Sequence, residues 1–233
     1  MTERVKSTRR YHSPRRRQQA AATRRQVLQA AQRLFEQHGY AATSMVAIAS
    51  EAGVSLKTVY LAFETKSGLL RALWHLLLRG DEESTPVGAR PWFQAVLDEP
   101  DPTRQLRLNV RNAKLVRARI GPLLEVIRSA AAHDAEIDAL WTRIQTEFYD
   151  NQRSVVEALH RKRALKSGLG VTRATDILWT LNHPNLYRLL VTDRGWTPDQ
   201  HEKWLADLLC SELLGNVHPL AGQHRKSPDV AGS

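Results

Sequence analysis

The chain has 233 residues, 42% hydrophobic and 25% charged, with a formal net charge of +10 and one cysteine. That length suits a small module joined to a larger one, and the apolar share is enough for a packed core. The single Cys210 has no partner for an internal disulfide and excludes a cysteine-built metal cluster, which fits a reducing cytosol.

The charge is concentrated at the start. Residues 1–25 hold nine Lys/Arg against one acid, Glu3, which is +8 and leaves +2 for everything else. A basic arm on a near-neutral body is the layout of a nucleic-acid binder, while the plainer reading is a solvated tail. No apolar h-region follows Arg15-Arg16-Arg17, so no export signal is expected. The most apolar segment, Leu69 to Leu78, contains Arg71 and His75 and is too short to span a bilayer. A soluble cytoplasmic protein without a membrane partner is the expectation.

Residues 1–19 contain few large apolar side chains and are expected to be a disordered basic arm. From Ala20 a helix carries Val27, Leu28, Ala31, Leu34 and Phe35 on one stripe and ends at Gly39. Thr43 and Ser44 are able to cap a short helix bearing Met45, Ile48, Ala49 and Ala52. Gly53 then turns the chain, and Ser55 caps a second short helix with Lys57, Thr58 and Tyr60, leaving Val59 and Phe63 to pack inward. Two short helices joined by a glycine-containing turn form a helix-turn-helix, whose second helix lies in the major groove of DNA. A helix from Lys66 to Arg79 presents Leu69, Leu70, Leu73, Trp74 and Leu77 and completes a DNA-binding module over residues 20–82.

Gly80 to Pro91 reads as a break, with a second domain over residues 83–215. A short helix over Trp92–Leu97 is followed by one opened by Asp101-Pro102 and running to about Arg119. Gly121-Pro122 starts another, ending near Ala132, and Asp134 caps the longest segment, to about Arg163. Thr172 opens a helix interrupted at Pro184 and ended by Gly195; Thr197-Pro198 opens the last, with Trp204, Leu205, Leu208, Leu209 and Leu213 on one face. Residues 216–233 read as a disordered tail. No β alternation or internal repeat is present, so the expected fold is all-α: a three-helix helix-turn-helix module, then a larger helical ligand-binding and dimerisation domain.

The run Ile48-Ala49, Ala52-Gly53-Val54-Ser55, Thr58-Val59-Tyr60, Phe63, Lys66 and Leu69-Leu70 resembles the DNA-binding signature of the TetR family of transcriptional regulators over roughly residues 24 to 75. Leu56, Lys57, Leu61 and Ala62 depart from its commonest pattern within the recognition helix. The resemblance implies a ligand-responsive regulator, most often a repressor, that binds a palindromic operator as a homodimer. The last two helices, 172–193 and 198–214, would then form the dimer through Leu186, Leu190, Trp204, Leu205 and Leu208, although an intramolecular core needs such faces equally. It also implies phosphate contacts by Tyr60 and Lys66. The alternative from another class is an architectural DNA-binding protein driven by the arm.

Helix starts at Thr43, Ser44, Ser55 and Lys66 point free N–H groups and partial positive charge outward, as phosphate requires. Lys57 and Thr58, in the first turn of the recognition helix, are the candidates for base edges, with Leu56 and Leu61 available for thymine methyl groups. In the larger domain, aromatic and amide groups on otherwise apolar faces make Asn109, Trp141, Gln145, Phe148, Tyr149, Trp179 and His183 candidates for an unknown small-molecule effector; packed core is the competing reading. Arg104, Arg107, Arg111 and Lys114 form a basic row read as solvated surface or as an anion-facing stripe. Without a glycine-rich phosphate loop, nucleophile elbow or ligand-spaced histidines, no enzyme, cofactor or metal is expected.

Overall fold

The computed structural model describes residues 14–79 and 86–215, and the first thirteen residues of the expected arm and the expected tail from 216 lie outside them. The first helix, α1, spans Pro14–Ala42 and so begins earlier than Ala20. Residues 14–19, expected in the disordered arm, are therefore helical. Proline suits the first helical position, and the Arg, Gln and Ala that follow are strong helix formers. A shortage of apolar residues spoke to burial and not to backbone propensity. Gly39, at φ 77°, breaks α1 where the sequence places its end.

Helices α2 (Met45–Glu51) and α3 (Leu56–Phe63) meet at a 111° bend, within the range of a helix-turn-helix. Gly53 carries the turn at φ 65°, a conformation that costs glycine nothing sterically. Helix α4 covers Lys66–Arg79. Further on lie α5 (Pro91–Asp98), α6 (Pro102–Ala131), α7 (Ala135–Arg161), α8 (Val171–Leu181), α9 (Pro184–Tyr187), a π-helical stretch Arg188–Asp193, and α10 (Pro198–Leu213). Among the described residues there is no strand, only an isolated bridge between Leu165 and Leu214. The all-α expectation holds.

The expected break at Gly121-Pro122 does not occur, because α6 runs through it. Pro122 and Ala118, whose carbonyl loses its donor, both lie on the exposed side. Water is able to satisfy that carbonyl there, while Ile120, Leu123, Leu124 and Ile127 stay buried on the other side. This makes α6, at 30 residues, longer than α7, at 27, the segment expected to be longest.

Packing divides the chain into two units that are not contiguous in sequence, unlike the expected division at 82–83. The first joins the residues up to Pro86 with Leu115–Glu147, hence the second half of α6 and the first half of α7. Its core contains Val27, Phe35, Ile48, Val59, Leu69, Leu70, Leu73, Leu123, Ile127 and Ile137. Each such side chain contributes about 1.5–3 kcal/mol when fully buried, which orients helices too short to be stable alone. The second unit comprises Val87–Lys114 and the chain from Phe148 onward. Its core is built from Phe93, Val96, Leu106, Val110, Val155, Leu159, Leu178, Leu205, Leu209 and Leu213.

One expectation for this second unit changes, and another is refined. Leu205 is fully buried in its own core, so it leaves the set expected at a dimer face. The basic row is surface, with Arg104, Arg107 and Arg111 exposed, but it is paired along most of its length and so is no open anion stripe. Lys114 pairs with Asp199 at 2.7 Å and with Glu202, Arg107 with Asp207 at 2.7 Å, and Arg104 with Glu99 at 3.1 Å. Three of these acids stand on α10, which the row therefore ties to α6.

Candidate nucleic-acid interface

Helix α3 has one face committed to the core and one face exposed among the described residues. Val59 and Phe63 are buried, while Lys57 is exposed and Leu56, Tyr60 and Leu61 show 36%, 47% and 77% of their surface. Nothing in the packing of the described residues accounts for Leu61 in water. Val46 at the start of α2 is exposed to 62% and was not singled out from the sequence, where it reads as one more apolar residue of a short helix.

The caps form as expected. Ser44 accepts the Ala47 N–H at 3.1 Å, and Ser55 accepts the Thr58 N–H at 3.1 Å. Thr58 is half-buried and its hydroxyl lies 2.8 Å from that of Ser55, so the two form a small cap cluster at the start of α3. Lys57 has no such engagement among the described residues and stands exposed in the first turn. Arg24, counted with the arm, reaches Ala62 O at 2.6 Å from Nη1 and lies 4.2 Å from the Phe63 ring centre, holding the end of α3 against α1. Arg33 and Glu51 form an exposed pair at 2.8 Å, worth at most about 1 kcal/mol.

Two of the expected contact residues turn inward. Thr43 is 3% exposed, and its hydroxyl donates to Gly39 O at 2.8 Å and to Leu34 O at 3.2 Å. Only its neighbour Ser44 offers a hydroxyl outward. Lys66 does not extend its ammonium from the start of α4; Nζ donates to Tyr40 O at 2.9 Å and Thr43 O at 3.0 Å and sits 4.2 Å from the Tyr40 ring centre. A cation at a helix N-terminus opposes the helix dipole, and these carbonyls offset that. Burial pulls the lysine pKa below its ordinary value, with the charge of Asp134 opposing.

Tyr40 was also missed, because its partner is remote in sequence. Its hydroxyl donates to Asp134 Oδ2 at 2.8 Å, and burial, reinforced by that bond, holds its pKa well above that of an ordinary phenol.

The effector candidates separate. Trp141 packs on the core of the first unit, to which Gln145 also belongs. In the second unit Phe148, His183, Trp179 and Tyr149 form a chain of edge-to-face rings with centroids 6.2, 5.0 and 6.3 Å apart in that order. Two of these four also have structural work: Tyr149 donates to Asp176 Oδ1 at 3.0 Å, and His183 Nδ1 accepts the Asn185 N–H at 3.2 Å and caps α9. The indole N–H of Trp179 is buried without a hydrogen-bond partner among the described residues. Asn109 and Asn182 both donate to Gln152 Oε1, at 3.3 and 3.2 Å, a buried amide group joining α6, α7 and the end of α8. Among the described residues no three His, Cys, Asp or Glu side chains gather as a metal site, and no single helix is long and apolar enough to cross a membrane.

Residues 27–73 match the family model of bacterial regulatory proteins of the tetR family. The chain is 27% identical over 193 residues to the HTH-type transcriptional regulator AcrR of Shigella flexneri, covering 81% of this chain and 80% of that protein. It is similar in fold to NalD, the secondary repressor of the MexAB-OprM multidrug efflux pump in Pseudomonas aeruginosa, with a TM-score of 0.65 and 21% identity over 84% of this chain and 99% of that one. A complex of SmeT with triclosan gives a TM-score of 0.65 and 19% identity over 89% of this chain and 100% of that one. SmeT is the repressor of the Stenotrophomonas maltophilia multidrug efflux pump SmeDEF.

Proposed function

Since the chain belongs to the TetR family of helix-turn-helix transcriptional regulators, we propose that it is a cytoplasmic, homodimeric repressor that binds a palindromic operator and is released by a small-molecule effector. The observation that carries this reading is the outer face of α3, where Leu56, Lys57, Tyr60 and Leu61 stand exposed behind a Ser55 cap. Lys57 and Thr58 read base edges, with Leu56 and Leu61 against thymine methyl groups. Tyr60, Ser44, Ser55 and the backbone N–H groups at the helix starts hold phosphates, which position the protein without reading sequence. Two copies place their recognition helices in successive major grooves, about 34–36 Å apart.

The relatives support the regulatory side. NalD and SmeT are repressors of multidrug efflux pumps, and SmeT has been seen with triclosan, so the effector proposed here is a lipophilic aromatic compound. Phe148, Tyr149, Trp179 and His183, with Asn109 of the buried amide group, are the proposed lining. Such a ligand releases DNA only to the extent that its affinities for the free and DNA-bound forms differ. Selection of bound duplexes from a random pool tests the reading. A palindrome with half-sites one helical turn apart is expected, and a pool that stays random would overturn it.

A further inference from the structure

The corner between α1 and α2 carries a set of polar bonds beside its apolar packing. Thr43 closes it onto Gly39 and Leu34, and Lys66 bridges its two carbonyls at Tyr40 and Thr43. Tyr40 then carries the connection to the start of α7. Asp134 uses one carboxylate oxygen to accept the Glu136 and Ile137 N–H groups, at 3.0 and 3.2 Å, and the other to accept the Tyr40 hydroxyl at 2.8 Å. A second bond runs parallel to this one, from the Ser67 hydroxyl to Glu136. The cap of α7 is thus linked through Tyr40 and Lys66 to the residue preceding Ser44, all within the first packing unit.

Helix α2 has seven residues and is too short to hold its own direction. Its buried Met45, Ile48 and Ala49 turn one face to the core, and these bonds add a fixed position for its first turn. We propose that Tyr40 is a positioning residue for DNA binding, latching the start of α2 to the start of α7 through Lys66 and Asp134. It sets where Ser44 and the amides beside it meet the DNA backbone, and it touches no DNA itself. The inference rests on the DNA-binding reading above.

The test uses full-length dimer and the duplex obtained by selection, with affinity measured at several salt concentrations beside thermal unfolding. Tyr40→Phe keeps the ring over Lys66 and removes only the hydroxyl. Asp134→Ser keeps a capping hydroxyl but is too short to reach the phenol, and Asp134→Asn restores that reach. Tyr40→Phe and Asp134→Ser should each bind about three- to thirtyfold more weakly. Their combination should bind no more weakly than either alone, Asp134→Asn should recover most of the loss, and salt slope and base preference should match wild type. Affinity equal to wild type in folded Tyr40→Phe overturns the latch while leaving the DNA-binding reading intact, and so does a loss in the double variant equal to the sum of the two single losses, which would make Tyr40 act apart from Asp134. Should Asp134→Ser fail to fold, Tyr40→Phe alone decides. A wild-type protein that selects no duplex overturns both.

Discussion

Lys66 donates to the carbonyl of Tyr40 at 2.9 Å while its ammonium lies 4.2 Å from the centre of that residue's ring. The one charge therefore serves both a backbone acceptor and an aromatic face, and a second carbonyl, Thr43 O, accepts from it at 3.0 Å. A lysine so engaged orders the corner before α2, where the sequence pattern places it on a phosphate. Lys66→Met should destabilise the protein by about 1–3 kcal/mol, because part-buried carbonyls lose their donor. Its salt slope should stay as in wild type. A slope shallower by about 0.9 would return Lys66 to the phosphate contacts.

Lys57 and Tyr60 should fail in different ways. Both are exposed on α3, Lys57 in its first turn and Tyr60 about one turn on. Lys57→Ala should cost about 1–3 kcal/mol on the operator and relax the preference at one symmetric pair of positions. Tyr60→Phe removes a hydroxyl and should weaken operator and random duplex alike, with the preferred sequence unchanged. Binding to a set of single-base operator variants separates these outcomes. Even loss of affinity in Lys57→Ala, with preference retained, would assign Lys57 to the backbone.

What was legible in the sequence is what acts over short range. The Ser44 and Ser55 caps and the Gly53 turn each involve atoms a few residues apart, so residue type and spacing were enough to place them. The apolar stripes of α1 and α4 were legible for the same reason, since helical period alone puts Val27, Phe35, Leu69 and Leu73 on buried faces. The carbonyls that Lys66 engages are not legible because they lie 26 and 23 residues away, and neither is the bond of Tyr40 to Asp134, 94 residues away. Nothing local distinguishes a lysine bound for a phosphate from one bound for two carbonyls. Pro122 was read as a breaker because local rules ignore which side of the helix faces water.

Gly68 is a glycine for reasons of space. A Cβ there would lie 2.5 Å from the carbonyl oxygen of Phe63, where α4 follows closely on the end of α3. Backbone cannot yield as a flexible side chain does. Gly68→Ala should therefore cost about 1–3 kcal/mol in urea unfolding, against the usual gain from alanine in a helix. An unchanged or raised midpoint would show that α4 shifts freely at this point.

The Tyr40 phenol gives a pH dependence with a definite sign. Its pKa is raised in the folded protein by burial and by the bond to Asp134, so the folded state keeps a proton that the unfolded chain releases near pH 10. The stabilisation is complete below that pH and is lost as pH rises from there towards the folded value. Wild type should lose stability above about pH 10 more steeply than Tyr40→Phe, with the two curves parallel at lower pH. Parallel curves throughout would mean the phenol is not held protonated by the fold.

The proposed dimer sorts the apolar residues of the last two helices into two groups. Leu205 is fully buried in its own unit, whereas Leu190 and Leu208 are half-buried and Leu189 is exposed to 47%. A charge at Leu205 has no route to water and should unfold the protein, since burying an unpaired carboxylate outweighs a typical net stability of about 5–15 kcal/mol. At Leu190 or Leu208 the protomer itself tolerates the change, and only a face shared with a second copy suffers. Leu208→Glu and Leu190→Glu should accordingly keep helicity and the thermal transition of a folded protomer, while light scattering shows the mass halved. Operator affinity should fall with it, because a single recognition helix loses the half-site on the far groove. Wild-type protein that is monomeric at micromolar concentration, with and without duplex, would remove the dimer assignment; a Leu208→Glu protein that remains dimeric would move the interface elsewhere.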